Sequence, residues 1–315
     1  MISVALCTYN GEKYIAEQLY SILHQTVPID EIVIVDDCSN DNTVKIINNI
    51  YNNYSSIIKL FINDKNIGFI KNFEKAVSLC KGDYIFLSDQ DDVWRKDKVE
   101  RIINYMSVER CYGVFTDGKL IDGDGKELGS TLFKQLNFDQ YIRNMSIYPD
   151  LFTTLCLSSN FVTGATMAIT KEAIPLILPF QTSRHFYHDS YIAIKLSAKN
   201  KFRFIDDALI SYRIHLGQEI GLKNESNIKE RLFDVSNINE KKDRIVDYLI
   251  SHRMMAEKVF RECGLSNTDI ETFNKTYYHY IINLFKKTDV PARIKYAILL
   301  ICEELKCRMY RIVKH

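Results

Sequence analysis

The feature of the sequence that most constrains its fold is a regular alternation of apolar and helical segments over the first hundred residues. Four segments, 2–7, 31–35, 57–62 and 84–88, have the length and composition of buried strands, and segments with helical spacing separate them. Strands that alternate with helices predict an α/β protein whose parallel sheet carries helices on both faces and right-handed crossovers.

Each of these predicted strands ends in polar or acidic residues. Thr8-Tyr9-Asn10 follows the first strand, Asp36-Asp37 follows the second, and short runs of Asn and Asp follow the other two. The carboxyl ends of parallel strands meet at one edge of the sheet, where α/β proteins bind their ligands. We therefore expect these side chains to surround a single crevice.

The acidic run after the fourth strand carries Asp89, Asp91 and Asp92 within four positions. Asp89 and Asp91 are two residues apart, so on an extended backbone they point the same way and repel each other unless a cation lies between them. Mn²⁺ and Mg²⁺ take oxygen ligands and leave positions open for substrate phosphates. The run is either a metal–diphosphate site or a solvated turn that caps the helix beginning near Lys96, and the D-x-D spacing alone favours neither.

Charge and cysteine content exclude several classes of function. The 315 residues carry 41 Lys and Arg against 40 Asp and Glu, so the net charge of +1 gives no case for nucleic-acid binding. The 8 cysteines form no C-x-x-C pair, which argues against a zinc ribbon or a redox motif and favours buried thiols in a reducing cytosol. We expect no signal peptide and no transmembrane segment.

Beyond the acidic run the pattern becomes less regular. The expected elements are a helix at 99–106, a strand at 111–116, a loop entering a strand at 160–169, and two short strands at 202–205 and 208–214. Thr170 is expected to cap a short helix that stops near Pro175. A further helix is expected after Asp189.

The last third of the chain has a different character. Three long segments with helical period, at 227–263, 267–287 and 291–314, predict a C-terminal helical region at 221–315 after a first domain at 1–220. The final segment combines an apolar face with a basic end. Such a helix lies on an anionic membrane surface, or it packs on its helical neighbours or on a second subunit.

Seven motifs, taken in order, resemble those of the family 2 glycosyltransferases of the GT-A fold. The motifs are Thr8-Tyr9-Asn10, Asp36-Asp37, Asn66-Ile67-Gly68, Asp89-Gln90-Asp91-Asp92, residues 160–167, His188-Asp189 and Tyr212-Arg213-Ile214-His215. The resemblance covers roughly residues 1–216 and is greatest to bacterial enzymes of the rhamnosyltransferase type that build O-antigen or capsule chains. It implies a Rossmann-like nucleotide-binding sheet with helices on both faces.

The resemblance also implies a role for each matching residue. The implied nucleotide-binding residues are Thr8, Tyr9, Asn10, Asp36, Asp37, Asn66, Lys71 and Asp89. Asp91 is the implied ligand of Mn²⁺ or Mg²⁺, with Asp89 and His215 beside it, while Gly164 and Met167 shape the acceptor pocket. Asp189 matches the general base. Four of these have a plainer alternative, since Asp36, Asp37 and Asp189 would each serve as a helix cap and His215 as an ordinary core or surface histidine.

By the same resemblance, the chain is expected to be an inverting enzyme that moves a sugar from a UDP- or dTDP-linked donor to a saccharide acceptor. The acceptor is expected to be lipid-linked, at the cytoplasmic face of a bacterial membrane. Two alternatives stay open. The first is a phosphatase of the haloacid-dehalogenase type with Asp89 as nucleophile, and the second is a non-catalytic nucleotide-sugar binder.

Overall fold

The computed structural model describes residues 1–136, 138, 151–157, 161–182, 187–218 and 258. The chain divides into two compact units, Met1–Ser236 and Asn237–His315, and all the described residues but one belong to the first. The predicted C-terminal helices, the basic end of the last one and the predicted boundary at residue 220 lie outside the described residues.

The described residues form nine strands, eight α-helices and two 3₁₀ turns. The strands are β1 (Ile2–Thr8), β2 (Glu31–Asp36), β3 (Ile58–Ile62), β4 (Tyr84–Ser88), β5 (Val93–Trp94), β6 (Gly113–Ile121), β7 (Glu127–Thr131), β8 (Ala168–Thr170) and β9 (Phe202–Arg213). The helices are α1 (Ile15–Leu23), α2 (Thr43–Tyr54), α3 (Phe69–Leu79), α4 (Lys98–Glu109), α5 (Leu132–Gln135), α6 (Leu151–Leu157), α7 (Ile174–Ile177) and α8 (His188–Ala198). The 3₁₀ turns are Gly164–Thr166 and Lys171–Ala173.

The first four strands form the parallel half of one sheet, whose order is β3-β2-β1-β4-β8-β6-β9-β5, with β7 paired to β6. Every residue of β1 and β2 is buried, as expected for strands covered on both faces. The chain adds β2 and β3 on one side of β1 and β4 on the other. The ends of β1 and β4 therefore lie at the point where strand order reverses, which is where open α/β sheets bind ligands.

The parallel arrangement predicted from the first four strands is confirmed, and beyond β4 the sheet is mixed. Strand β8 runs antiparallel to both β4 and β6, and β5 runs antiparallel to β9. The two short strands expected at 202–205 and 208–214 are one strand, β9, because it pairs with β6 from Phe202 to Arg213 through a register shift.

The structure corrects two details near β8. Thr170 holds the N-cap position of the 3₁₀ turn Lys171–Ala173, as predicted, but its buried hydroxyl has no hydrogen-bond partner and so makes no capping bond. Pro175 does not stop a helix but lies in the first turn of α7. A proline costs little there, because the first amide groups of a helix have no intrahelical acceptor.

The core lies between the sheet and the helices on its faces. Helix α1 buries Ile15, Leu19 and Ile22 at helical spacing, and the cluster they join also contains Phe86 and Trp94. Each such side chain contributes about 1.5–3 kcal/mol when fully removed from water. None of the helices within the described ranges is long and apolar enough to cross a bilayer.

Candidate active site

The carboxylate at the end of β2 is fully engaged by neighbouring donors. Asp36 is buried and accepts hydrogen bonds from Thr8 Oγ1 at 2.7 Å, from Ser39 N at 2.8 Å and from Ser39 Oγ at 2.6 Å. Asp36 and Thr8, two of the predicted nucleotide-binding residues, are therefore hydrogen-bonded to each other. Their observed contacts shape the loop that follows β2.

Asp37 holds a second loop. Its Oδ1 accepts from Asn63 Nδ2 at 2.7 Å and from Ile67 N at 2.9 Å, and its Oδ2 accepts from Gly68 N at 2.9 Å. Gly68 has a φ of +83°, a left-handed conformation that glycine adopts without strain. Asn66 is exposed and accepts from the same Gly68 amide at 3.0 Å. Asp37 thus fixes the loop beside which a nucleotide base is expected.

The loop after β1, residues 9–11, is more open. Tyr9 is exposed, and Asn10 exchanges hydrogen bonds of 2.8 Å with Ser39 Oγ and Asn40 N. Lys71, expected near the diphosphate, forms an exposed ion pair of 2.8 Å with Glu74 on α3. Its ammonium group is therefore engaged along the surface of that helix.

The residues that follow β4, 89–92, form what we call the acidic turn. Burial raises the pKa of Asp89 to about 7, and the negative charges of Asp91 and Asp189 add to the shift. Burial also raises the pKa of the Cys7 thiol, and the negative charges of Asp89 and Asp37 raise it further. The charge of Asp189 acts on Asp89, and the charges of Asp89 and Asp37 act on Cys7, so these four groups lie within electrostatic range of one another along this edge of the sheet.

Asp91 meets the second predicted metal residue directly. Its Oδ2 lies 2.8 Å from His215 Nε2, and both side chains are largely buried, 13% and 15% exposed. The His215 ring packs on Tyr14 with the ring centroids 4.7 Å apart. Residues 124 positions apart are thus brought together as the resemblance implied.

Arg213, to which the sequence analysis gave no role, supports this pair. It is 2% exposed, and its Nε donates to the Asp91 carbonyl at 2.7 Å while its Nη2 donates to Glu17 Oε2 at 2.6 Å. Its backbone amide donates to Asp92 Oδ1 at 3.0 Å. The arginine therefore fastens the acidic turn to β9 and to α1.

Asp92, the last residue of the acidic turn, and Lys98, at the start of α4, are both buried. Asp92 Oδ2 has no hydrogen-bond partner, and burial, followed by Asp91 and Asp89, holds the pKa of Asp92 well above its usual range. The fully buried Lys98 donates to the Ala165 carbonyl at 2.9 Å, and burial lowers its pKa to about 7. Lys98 was missed, although its signal is readable: it precedes the buried Ile102 and Met106 at helical spacing.

On the other side of the crevice, Gly164 packs against the start of α8. A Cβ added to Gly164 would lie 2.9 Å from His188 Nε2 and 3.8 Å from Asp189 Cβ. Asp189 lies in the first turn of α8 and is not its N-cap, which is Tyr187. Met167, expected in the acceptor pocket, is fully buried and its carbonyl accepts from Leu87 N at 3.0 Å. Its side chain belongs to the core.

The family model for glycosyl transferase family 2 matches residues 3–174. The chain belongs to this family. Solved structures agree on the fold: a Staphylococcus aureus TarS fragment, residues 1–349 in complex with UDP-GlcNAc, gives a TM-score of 0.51 at 21% identity over 93% of this chain and 82% of that one. The GT-A fold predicted from the sequence is thereby confirmed.

Curated members of family 2 match parts of the chain. A putative teichuronic acid biosynthesis glycosyltransferase, TuaG, from Bacillus subtilis is 32% identical over 47% of this chain and 59% of its own length. The dTDP-rhamnosyl transferase RfbG of Shigella flexneri is 44% identical over 34% of this chain and 39% of its own. A chondroitin synthase of Escherichia coli is 28% identical over 78% of this chain and 33% of its own. The chain therefore spans less than two thirds of each of these relatives.

Among the described residues, no group of three His, Cys, Asp or Glu side chains is arranged to hold a metal ion. The described residues do contain a carboxylate–imidazole pair, Asp91 with His215. Asp89, whose pKa is raised, and Asp92, which has an unpartnered oxygen, are neighbours of Asp91 in the acidic turn. This donor set fits Mn²⁺ or Mg²⁺, which are held by one or two carboxylates and completed by substrate phosphates.

Proposed function

We propose that the chain is an inverting, metal-dependent glycosyltransferase that moves a sugar from a UDP- or dTDP-linked donor to a saccharide acceptor in bacterial surface polysaccharide synthesis. The observation that carries the proposal is the 2.8 Å contact between Asp91 and His215, beside Asp89, on which the charges of Asp91 and Asp189 both act. Carboxylates from a strand end and from a helix start repel each other in one crevice, which is costly unless a ligand relieves the repulsion.

The proposed reaction is a single displacement. The acceptor hydroxyl oxygen attacks the anomeric carbon, and its proton passes to the Asp189 carboxylate. The anomeric C–O bond to the nucleoside diphosphate breaks, and its electron pair leaves with the diphosphate. Attack and departure on opposite faces of one carbon invert its configuration, and no glycosyl-enzyme intermediate is needed.

Asp91, with His215 and Asp89 beside it, would hold the divalent cation. When bound, the cation supplies positive charge that offsets the charge gained by the leaving diphosphate. The chain's own task is to aim the Asp91 carboxylate into the crevice, which Arg213 does by holding the Asp91 carbonyl at 2.7 Å. Water and phosphate oxygens would complete the coordination.

The donor and acceptor classes rest on the named relatives and on sequence. RfbG is named a dTDP-rhamnosyl transferase and TuaG a putative teichuronic acid biosynthesis glycosyltransferase, which supports a dTDP-linked donor and a bacterial cell-surface glycan, while the UDP-linked alternative rests on the sequence resemblance. A lipid-linked acceptor at the cytoplasmic membrane face, a domain boundary at residue 220, and a final basic helix that binds membrane or a second subunit are part of the same proposal.

Membership of family 2 leaves the phosphatase alternative without support. In the haloacid-dehalogenase type the aspartate nucleophile follows the first strand, whereas Asp89 follows β4. A phosphate-ester assay distinguishes the two, since turnover that disappears in Asp89→Asn would favour the phosphatase.

Thermal shift with nucleoside diphosphates tests the proposed donor class. UDP or dTDP with Mn²⁺ should raise the melting temperature by mass action, with a stabilisation of about 2.7 kcal/mol at a hundredfold excess over Kd. EDTA should reduce the shift, and GDP serves as the matched control. No shift with either pyrimidine diphosphate would contradict the proposal.

The Asp189→Asn variant tests the base. It should bind the same nucleotide with unchanged affinity and lose about 10²–10⁴ in kcat, the usual contribution of a general base. Product analysis by mass spectrometry with a saccharide acceptor panel gives the measurement. Wild-type turnover in Asp189→Asn would remove the base assignment while leaving nucleotide binding intact.

A further inference from the structure

The side chain of Gln90 fastens the acidic turn to the loop after β1. Tyr9 N donates to Gln90 Oε1 at 2.9 Å, and Gln90 Nε2 donates to the Tyr9 carbonyl at 2.9 Å. One planar amide thus binds both backbone groups of one residue, as a neighbouring strand would. A carboxylate of the same shape has no donor and could make only the first of these bonds.

Gly11 leaves the space that this arrangement needs. A Cβ on Gly11 would lie only 2.1 Å from Gln90 Oε1 and 2.4 Å from Gln90 Cδ. The backbone of Gly11 is not in the left-handed region, so its conformation does not require glycine. The close approach of the Gln90 amide is therefore what excludes a side chain at position 11.

The hydrogen bonds between Gln90 and Tyr9 lie just beyond the last paired residues of β1 and β4. The registered pairs of β1 and β4 end at Leu6 and Ser88, so the loop 9–11 and the acidic turn lie beyond the backbone ladder. On its other side the same loop is tied to the β2 loop through Asn10. The Gln90 amide thus holds the two segments that follow β1 and β4 side by side, where the strands themselves are no longer paired.

We propose that Gln90 is a positioning residue that sets the spacing between the loop 9–11 and the acidic turn, so that one nucleoside diphosphate engages both at once. The inference rests on the proposed function, in which the nucleoside contacts the loop and the diphosphate reaches the cation held by the turn. A ligand with two linked ends binds more tightly when both subsites are already at the correct separation.

A positioning role for Gln90 has an effect on ligand binding that differs from the effect of a general loss of structure. Without the Gln90 amide, each subsite should still bind its own end of the ligand, but the two should no longer cooperate. Binding of the nucleoside monophosphate in EDTA, and of Mn²⁺ alone, should stay within about twofold of wild type. Binding of the diphosphate with Mn²⁺ should weaken about tenfold, because part of the binding free energy is then spent on restoring a spacing that two hydrogen bonds otherwise hold.

The experiment compares wild type, Gln90→Ala, Gly11→Ala and the double variant. Calorimetry gives the Kd of UDP or dTDP, whichever binds wild type more tightly with Mn²⁺, ligand-observed NMR gives that of the matching monophosphate, and water proton relaxation gives that of Mn²⁺. Gln135→Ala is the control, because Gln135 is a half-buried, hydrogen-bonded glutamine on α5. Circular dichroism confirms that each variant is folded.

Gly11→Ala should weaken diphosphate binding as Gln90→Ala does, because its methyl group displaces the amide. The double variant should be no weaker than Gln90→Ala, since the methyl group then meets no amide. Diphosphate binding in Gln90→Ala within twofold of wild type, or additive losses in the double variant, would overturn the inference alone. Failure of wild type to bind either diphosphate with Mn²⁺ would overturn the proposed function and this inference with it.

Discussion

The two acidic clusters at the ends of β2 and β4 contain the same kind of residue in equivalent places, yet their surroundings are opposite. The oxygens of Asp36 and Asp37 are occupied by hydroxyl, amide and backbone donors. In the acidic turn, Asp92 has an unpartnered oxygen and the pKa of Asp89 rises to about 7. The first cluster stabilises loops, whereas the second holds electrostatic repulsion that a bound cation would relieve.

We therefore expect the cluster at the end of β2 to contribute mainly to stability and the acidic turn mainly to activity. Substitutions at the β2 cluster should lower the free energy of unfolding, because they leave buried donors without acceptors. Substitutions of the proposed metal residues Asp89 and Asp91 should leave folding unharmed and strongly reduce turnover. Three measurements test this contrast, and they are given in decreasing order of expected effect.

The largest effect is expected from Asp91→Asn. The variant should lose about 10³ in kcat/KM, because the charge developing on the leaving diphosphate is no longer offset. Its melting temperature in EDTA should equal or exceed that of wild type, since one of three repelling carboxylates is neutralised. A large drop in melting temperature would show that the acidic turn, like the β2 cluster, is structural.

Asp36→Ala should be next in size. Three hydrogen bonds to a fully buried carboxylate are lost, so the free energy of unfolding in urea should fall by about 3 kcal/mol. Asp124→Ala, at an exposed turn position, is the matched control and should change little. Unchanged stability in Asp36→Ala together with a loss of nucleotide affinity would make Asp36 a binding residue.

The smallest effect concerns pH in the absence of metal. Asp89 has a folded-state pKa of about 7 against an ordinary value near 4, so the folded protein binds more protons than the unfolded one between these values. This contribution to stability is complete below about pH 4 and is lost as the pH rises through about 7. Melting temperatures in EDTA should therefore decline more steeply from pH 5 to 7 in wild type than in Asp89→Asn. Parallel profiles would contradict the raised pKa.

The sequence was sufficient to predict the parallel half of the fold. Strands β1 to β4 begin and end within a residue or so of their predicted limits, because each is a run of mostly apolar residues between clear breaks. The mixed half was not predictable in the same way. Strand β9 reads as two pieces around the Asp206-Asp207 interruption, and only its pairing with β6 makes it one.

For the site, the sequence identified which residues meet but not what each one does there. Asp91 and His215 come together as the motif series implied. Thr8 and Met167 are engaged in structure instead, since hydrogen bonding and core packing depend on neighbours distant in sequence. Lys98 and Arg213 were missed because buried cations are rare and their sequence signal is a single charge on an apolar face.

The pairing of β5 with β9 has a consequence for any shortened form of the protein. The segment that defines the family ends at residue 174, before Asp189 and before the strand that delivers Arg213 and His215. A fragment cut at that point would keep both acidic clusters yet lack the proposed proton acceptor and the imidazole that faces Asp91. The proposed reaction centre is therefore complete only once α8 and β9 have been added to the segment that the family model matches.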